Sequence, residues 1–502
     1  MDTRFLAALV ALPFLFLAGW QVWVPYSFWL DEIISVTFSS DSWTGLFESL
    51  LHDVHPPLYQ SLLKLWIALS GPGETATRLL SLFFAIATVG VFILGMRGRP
   101  RSFVLPATLF LVSSGMFAFY AQESRPYALL LLLASAAAVL HAQRTDARDP
   151  REGRLLWYAV LLVLSLTHYF GWLLAALLLL FDRFDYRESR QVYERLTLGV
   201  LMLIWPAIHV GLGSVSSLTG GNFWITSDGP LTTVAIAASG LLNPFAHLFA
   251  GFVDSVGPHS AMFITLAALV AVVLAAVAAW GYAIAASPVR VRLARQAALL
   301  VAFLALMVVI DRHTPMSTQR NYVVLIPVLA LFVGGLFQSY WERYRRPVAR
   351  SLLALLLAGY GAMGAVSSAE LMQERWYPQQ NWKELASQVQ EFGVCTPHCW
   401  FLDEEVKWRT RFYAHYFASA MGEYPERVVV SPSELEDAMA SRELPIVAGH
   451  AYPDRVNVVL ASFPGLRCWQ PVQAHAKSVV LIARDIDPRS TLSPCEDPVQ
   501  DR

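Results

Sequence analysis

"PLYQSLLKLWIALS", Pro57 to Ser70, is apolar, but it is short and carries Lys64. A helix needs about 20 apolar residues to cross a bilayer. Whether this stretch crosses decides the side of everything after it. Basic clusters follow at Arg97/Arg99/Arg101, Arg144–Arg154, Arg183–Arg195, Arg290–Arg295 and Arg343–Arg350. If 57–70 does not cross, all five share a side with Arg4, and the positive-inside bias makes that side cytoplasmic. If it crosses, every later cluster inverts. The bias therefore predicts a helix lying in, or re-entering, the outer interface.

Working outward, the apolar runs predict about eleven spans: 5–24, 76–96, 102–120, 126–142, 155–169, 169–182, 196–213, 260–286, 297–311, 320–338 and 351–368. The N-terminus then lies inside and the C-terminus outside. No small-residue cleavage site follows the first span, only "GWQVWVPYSFW", so it reads as an uncleaved anchor with Trp20, Trp23, Tyr26 and Trp29 in the interfacial belt. Composition agrees with a polytopic membrane protein. Of 502 residues, 56% are hydrophobic and 15% charged, against about a quarter charged in a soluble domain. The net charge of -1 gives no reason to expect nucleic acid.

The outer side has two large features, the first loop (25–75) and the segment 214–259. The latter lies in a stretch without Lys or Arg from Leu196 to Val289. Its "SSLTGGNFWITSDGP" has the polar, Gly-rich and aromatic character of a lid or substrate-lining loop. Beyond Glu370, helical and strand patterns alternate: "NWKELASQVQEFG", "CWFL", "VKWRTRFYAHYFA", "RVVVS", "PSELEDAMAS", "PIVAGH" and "SVVLIARD". They predict a small extracytoplasmic α/β domain over 370–502, after a membrane domain over 1–369. All four cysteines, Cys395, Cys399, Cys468 and Cys495, fall there. Outside the cytoplasm they would form two disulfides, in one of three connectivities; a zinc site using His398 is the alternative.

Charges on the outer face of the membrane part are few. Arg125 in "QESRPY" and Arg320 in "STQRNY" each stand at the N-terminal end of a predicted span, where a cation opposes the helix dipole. Such an arginine needs an anion. Either it pairs with Glu123, Asp31 or Glu32, or it takes a phosphate, which Arg binds bidentately. Asp31 and Glu32 in "YSFWLDEIISV" point about 100° apart if helical, so one can face a cavity while the other caps the helix. "HDVHPPLY" sets His55 before two prolines that force an extended entry and then a helix start. His52, Asp53 and His55 could bind a divalent metal, or His55 could line a site by hydrogen bonding. "THYFGW" brings His168 and Tyr169 to the outer face, as cavity groups or as interfacial anchors. No phosphate-binding glycine loop or nucleophile elbow occurs.

The order of "WLDEIISV", "HDVHPPLYQSLLKLW", "GPGETATRLLSLFFA" and "YAQESRPYALLLL" resembles the membrane-embedded GT-C glycosyltransferases. The resemblance is to the bacterial family 39 group, with its protein O-mannosyltransferase-like, Rgt-type and aminoarabinose-transferase-like enzymes. "RNYVVLIPVLAL" and "YPQQNWKELASQV" resemble that family's late span and the start of its tail. The resemblance implies transfer of a sugar from a polyprenyl-phosphate donor to an extracytoplasmic acceptor (a cell-envelope glycan, lipid or protein) at the bacterial inner membrane. It implies inversion by single displacement, with Asp31 as base and Glu32 as its neighbour. Arg125, Tyr127, Arg320 and Tyr322, with Lys64, would meet the donor phosphate. Gln122, His55, His168 and Tyr169 would line the cavity. His55 stands where some relatives carry an acid. No cofactor is implied beyond the metal alternative. The competing classes are a lipid-linked sugar transporter or flippase, and a non-catalytic membrane scaffold; the lack of an internal repeat and the clustering of charge at one face favour the enzyme.

Overall fold

The computed structural model describes residues 2–23, 27–146, 153–182, 188–213, 229–241, 261–373, 400–403, 446–449, 469–475 and 478–483. By its internal contacts the chain forms two units, Met1–Trp23 with Phe38–Gln373, and Val24–Thr37 with Glu374–Arg502.

The first unit opens with α1 (Thr3–Val22). The first loop is itself helical, with α2 (Leu30–Ser40), of which residues 30–37 are grouped with the second unit, α3 (Trp43–Leu51) and α4 (Leu58–Ser70). Next come α5 (Glu74–Gly95), α6 (Arg101–Ser113), α7 (Gly115–Tyr120), α8 (Tyr127–Asp146), α9 (Arg154–Ser165), α10 (Tyr169–Phe181) and α11 (Ser189–Leu212). The unit ends with α12 (Pro230–Leu241), α13 (Ala261–Ile284), α14 (Ser287–His313), a 3-10 turn (Gln319–Leu325), α15 (Ile326–Arg343) and α16 (Pro347–Gln373).

The 13 residues of α4 span about 20 Å, short of a hydrocarbon core of about 30 Å. It is no shorter than α9 and α10, so length alone does not separate it from the predicted spans 155–169 and 169–182. It buries Tyr59, Gln60 and Leu63, exposes Leu65 and Leu69, and ends at Gly71, whose φ of 84° suits only glycine readily. Among the described residues seven helices are long and apolar enough to cross a membrane: α1, α5, α8, α11, α14, α15 with its 3-10 turn, and α16. The helices α6, α9, α10 and α12 are apolar but shorter. The predicted span 102–120 is divided at Ser114, which is extended with ψ 126°. The predicted start of 297–311 is late, because α14 already begins at Ser287.

Two helices form the centre. In α8 and α15 most of the apolar stretch is buried, whereas α1, α11, α14 and α16 bury only about a fifth of theirs. Leu196, Val200, Leu203 and Val210 on α11, and Leu352, Leu355 and Leu356 on α16, face outward. Water does not tolerate so much contiguous apolar surface, and lipid does. Small residues allow close approach inside the bundle. At Gly334 on α15 a Cβ would lie 2.8 Å from the Phe103 carbonyl oxygen of α6.

Ion pairs gather the basic clusters at one end. Arg99 and Arg292 share Asp146, Arg144 and Arg195 share Asp182, and Arg154 reaches Glu194 at 2.8 Å. Four of the five clusters therefore meet directly, and each pair satisfies charge that would otherwise be costly near the apolar slab.

In the second unit, β1 (Trp400–Asp403), β2 (Ile446–Gly449), β3 (Trp469–His475) and β4 (Ser478–Ala483) form one sheet in the order β1-β2-β4-β3. The β1/β2 pair is parallel and the other two are antiparallel. Three of these strands coincide with "CWFL", "PIVAGH" and "SVVLIARD"; β3 carries no expectation from the sequence. The predicted tail helices, "RVVVS", the four cysteines, His398 and most of 214–259 lie outside the described residues.

Candidate active site

Three segments between helices meet the first turn of the 3-10 helix at the end of the first unit opposite the arginine-rich one. They are 52–57, 121–126 and 166–168. Each is held by the chemistry of its own sequence. Pro56 and Pro57 set the bend after His55, and the Leu58 N–H donates to the Leu166 carbonyl at 3.1 Å, joining the first segment to the third. Pro126 starts α8, accepting from the Leu130 N–H at 2.8 Å. The 121–126 segment is pinned to α5: Ser81 Oγ donates to the Glu123 carbonyl at 2.5 Å, and Ser124 Oγ to Thr77 Oγ1 at 2.8 Å. His168 caps α10, its Nδ1 accepting from the Phe170 N–H at 3.2 Å.

These anchors bring five of the expected residues together. His55 Nδ1 bonds Asp53 Oδ2 at 3.0 Å, and Arg125 Nη2 reaches His55 Nε2 at 3.4 Å. The His55 and His168 rings meet edge to face at 5.1 Å, and His168 lies 5.7 Å from Tyr127. The guanidinium carbons of Arg125 and Arg320 lie 6.0 and 5.9 Å from the Tyr127 ring centre. They are therefore within about 12 Å of each other, at the limit of cation–π range. His55, Arg125, Tyr127 and His168 are all buried.

The electrostatics follow from this crowding of cations. Burial raises the Asp53 carboxyl, but the charge and hydrogen bond of His55, the Arg125 charge and the Val54 N–H outweigh it and hold Asp53 down at about 2. Burial first, then His55, Arg125 and Arg320, hold His168 well below its usual 6.5 against the pull of Asp53. A neutral His168 matches a ring whose Nδ1 accepts a hydrogen bond.

The remaining expected residues stand elsewhere. Lys64 Nζ donates to the Asp41 carbonyl and lies 5.4 Å from the Trp43 ring, away from the cluster. Gln122 Nε2 donates to the Ala118 carbonyl at 3.1 Å. Tyr169 turns to His209, with Oη 2.6 Å from Nδ1. Tyr322 is buried between Phe170 and Phe303, its hydroxyl on Ser317 at 2.7 Å. Asp31 and Glu32 form the first turn of α2, in the part of the chain grouped with the second unit. Glu32 is buried and its Oε2 accepts from the Trp29 N–H at 3.4 Å, which gives it the capping role. Among the described residues no three His, Cys, Asp or Glu side chains are grouped to hold a metal.

Sequence reasoning missed His209 and the Thr77/Ser81/Ser124 network. His209 gave no local signal, being an isolated polar group within an apolar span. Thr77 and Ser81 are four apart on α5 and so share a face, a spacing visible in the sequence.

No family model and no curated protein matches the chain. Solved structures do. The apo crystal structure of ArnT from Cupriavidus metallidurans matches with a TM-score of 0.50 at 13% identity, over 86% of this chain and 88% of that one. The structure of the same protein bound to undecaprenyl phosphate matches with a TM-score of 0.52 at 15% identity, over 96% and 98%. At that identity the likeness is one of fold, and the chain has the GT-C membrane fold.

Proposed function

We propose that this chain is an integral-membrane glycosyltransferase that takes a sugar from a polyprenyl-phosphate donor and passes it to an acceptor outside the cytoplasm. The observation that carries the reading is the convergence of Arg125 and Arg320, from two separate segments, on the buried ring of Tyr127. Two guanidiniums beside a neutral His168 suit a phosphate that gains negative charge as its sugar leaves. The ArnT structure with undecaprenyl phosphate supports the lipid carrier.

In the proposed reaction Asp31 takes the acceptor hydroxyl proton. The oxygen attacks the anomeric carbon, and the bond from that carbon to the lipid phosphate breaks, so the sugar inverts and polyprenyl phosphate leaves. The assignment of Asp31 rests on the sequence resemblance; a positioned base contributes roughly 10²–10⁴-fold. Glu32 is its helix-capping neighbour, and His55 and His168 line the phosphate end. The topology proposed with it has eleven spans, a cytoplasmic N-terminus and the 370–502 domain outside, because the basic clusters share one end and that end is cytoplasmic by the positive-inside bias.

The test is transfer from a panel of radiolabelled polyprenyl-phosphate sugars by purified wild type and Asp31→Asn. Turnover by wild type with a loss of at least about 100-fold in the variant is expected. Equal turnover removes Asp31 as base. Movement of lipid-linked sugar across vesicles without bond cleavage overturns the enzyme in favour of a transporter.

A further inference from the structure

Arg320 stands on a short 3-10 turn, Gln319–Leu325, a form of helix whose own hydrogen bonds have poor geometry. Side chains tie the turn back to the chain that precedes it. Asn321 Nδ2 donates to the Met316 carbonyl at 2.6 Å, and the Ser317 and Tyr322 hydroxyls bond at 2.7 Å. Residues 316 and 317 are held in turn by Asp311, whose Oδ1 accepts from the Met316 N–H at 2.9 Å and the Ser317 N–H at 3.0 Å. Asp311 lies in the last turn of α14, where a carboxylate opposes the helix dipole. It is buried, so its second oxygen also needs a donor. That donor is Thr233 of α12, whose Oγ1 lies 2.7 Å from Oδ2.

The same helix meets the turn a second time. Thr233, Ala237 and Gly240 are spaced by four and then three residues, so they share one face of α12, and all three are buried. At Gly240 a Cβ would lie 2.9 Å from the Gln319 carbonyl oxygen, one residue before Arg320. Glycine is what permits this approach, because a side chain there would push the backbone of the turn away. α12 therefore grips the turn at two points two helical turns apart, through Asp311 at Thr233 and backbone to backbone at Gly240.

We propose that α12 positions Arg320 for the donor phosphate, with Thr233, Asp311 and Gly240 as positioning residues that act through the arginine. The inference rests on the reading of Arg320 as a phosphate ligand. A fork of guanidinium donors binds phosphate in a fixed geometry, so a small displacement of the turn that carries it loses part of the contact. Asp311 accounts for its unfavourable place on α14 in the same way: it exchanges helix stability for a fixed path from α12 to residues 316 and 317.

The affinity of undecaprenyl phosphate for the detergent-purified protein, measured around a double-mutant cycle, separates this role from a merely structural one. Arg320→Ala should weaken binding about 10- to 150-fold. Thr233→Val keeps the shape but removes the hydroxyl from Asp311, and should weaken binding about fivefold; Thr233→Ser should bind as wild type does. Gly240→Ala leaves Asp311 satisfied and should weaken binding about threefold. Neither Thr233→Val nor Gly240→Ala should weaken it further in the Arg320→Ala background, whereas both should in Arg125→Ala. Wild-type affinity in Thr233→Val and Gly240→Ala, beside a weakened Arg320→Ala, overturns this inference alone. So does an equal loss with and without Arg320, the result of a helix that only supports the fold. Wild-type affinity in Arg320→Ala overturns the phosphate reading itself, and this inference with it.

Discussion

Asp53→Asn isolates the electrostatics of the candidate site. The folded protein holds this carboxyl at about 2 against a usual 3.8, because His55 and Arg125 outweigh its burial. A value depressed by folding means that the charged form stabilises the fold. That contribution is complete above about pH 4 and is lost as pH falls through about 2. Nearly two pH units correspond to about 2 to 3 kcal/mol, a factor of about 60 in the folded-to-unfolded ratio. The Asp53 side chain is only 17% exposed, so solvent screening removes little of this. Asn keeps the size and can still accept from His55 Nδ1–H, so the substitution removes charge with little change of shape. Unfolding in mixed micelles should show the variant less stable by about 2 to 3 kcal/mol at pH 7, with the gap roughly halved near pH 3. Equal stability at pH 7, or a gap that widens as pH falls, refutes the assigned role of His55 and Arg125.

The depressed His168 makes an opposite demand on pH. The unfolded chain takes up a proton below about 6.5 that the folded chain refuses, so stability falls with pH there. His168→Asn can still cap α10 and should flatten that decline between about pH 6.5 and 5; an unchanged slope shows that His168 is protonated in the fold. At Gly364 of α16 a Cβ would lie 2.9 Å from the Ser113 carbonyl oxygen. Gly364→Leu should cost about 1–3 kcal/mol, read as a lower Tm; an unchanged Tm means α16 does not pack there. Asp182→Ala leaves the Arg144 and Arg195 guanidiniums without their shared carboxylate and should cost about 3–5 kcal/mol. Folding yield and Tm equal to wild type would make that network dispensable.

The bundle was legible because lipid imposes a coarse rule on sequence. Long apolar runs mark helices, and arginines mark one face. The reading of 57–70 as a helix that does not cross comes from the side that the five later basic clusters must share. Hydropathy fails where a helix leaves the slab. The start of α14 carries Arg290, Arg292 and Arg295, whose charge ends an apolar run without ending a helix, so the helix begins earlier than its apolar core. The break at Ser114 left no trace, because Ser and Gly inside an apolar run are as common at helix contacts as at breaks. Arg125 and Arg320 could be picked out because a cation at a helix N-terminus violates two rules at once. Their meeting at Tyr127 could not, since it depends on how α8 packs beside the 3-10 turn. Lys64 and Tyr322 show the limit of reading by motif. Both match the expected order, yet one is held by Asp41 and Trp43 and the other by Ser317 in the core.

The central claim is that Arg125 and Arg320 hold a lipid phosphate. It is tested most directly by the affinity of undecaprenyl phosphate for purified wild type and for Arg125→Ala/Arg320→Ala, with Lys64→Ala as a reference outside the cluster. Loss of even one charge-assisted contact weakens binding about 10- to 150-fold, so the double variant should fall at least that far while Lys64→Ala stays near wild type. Equal affinity in the wild type and the double variant would contradict the account and return both arginines to a structural role.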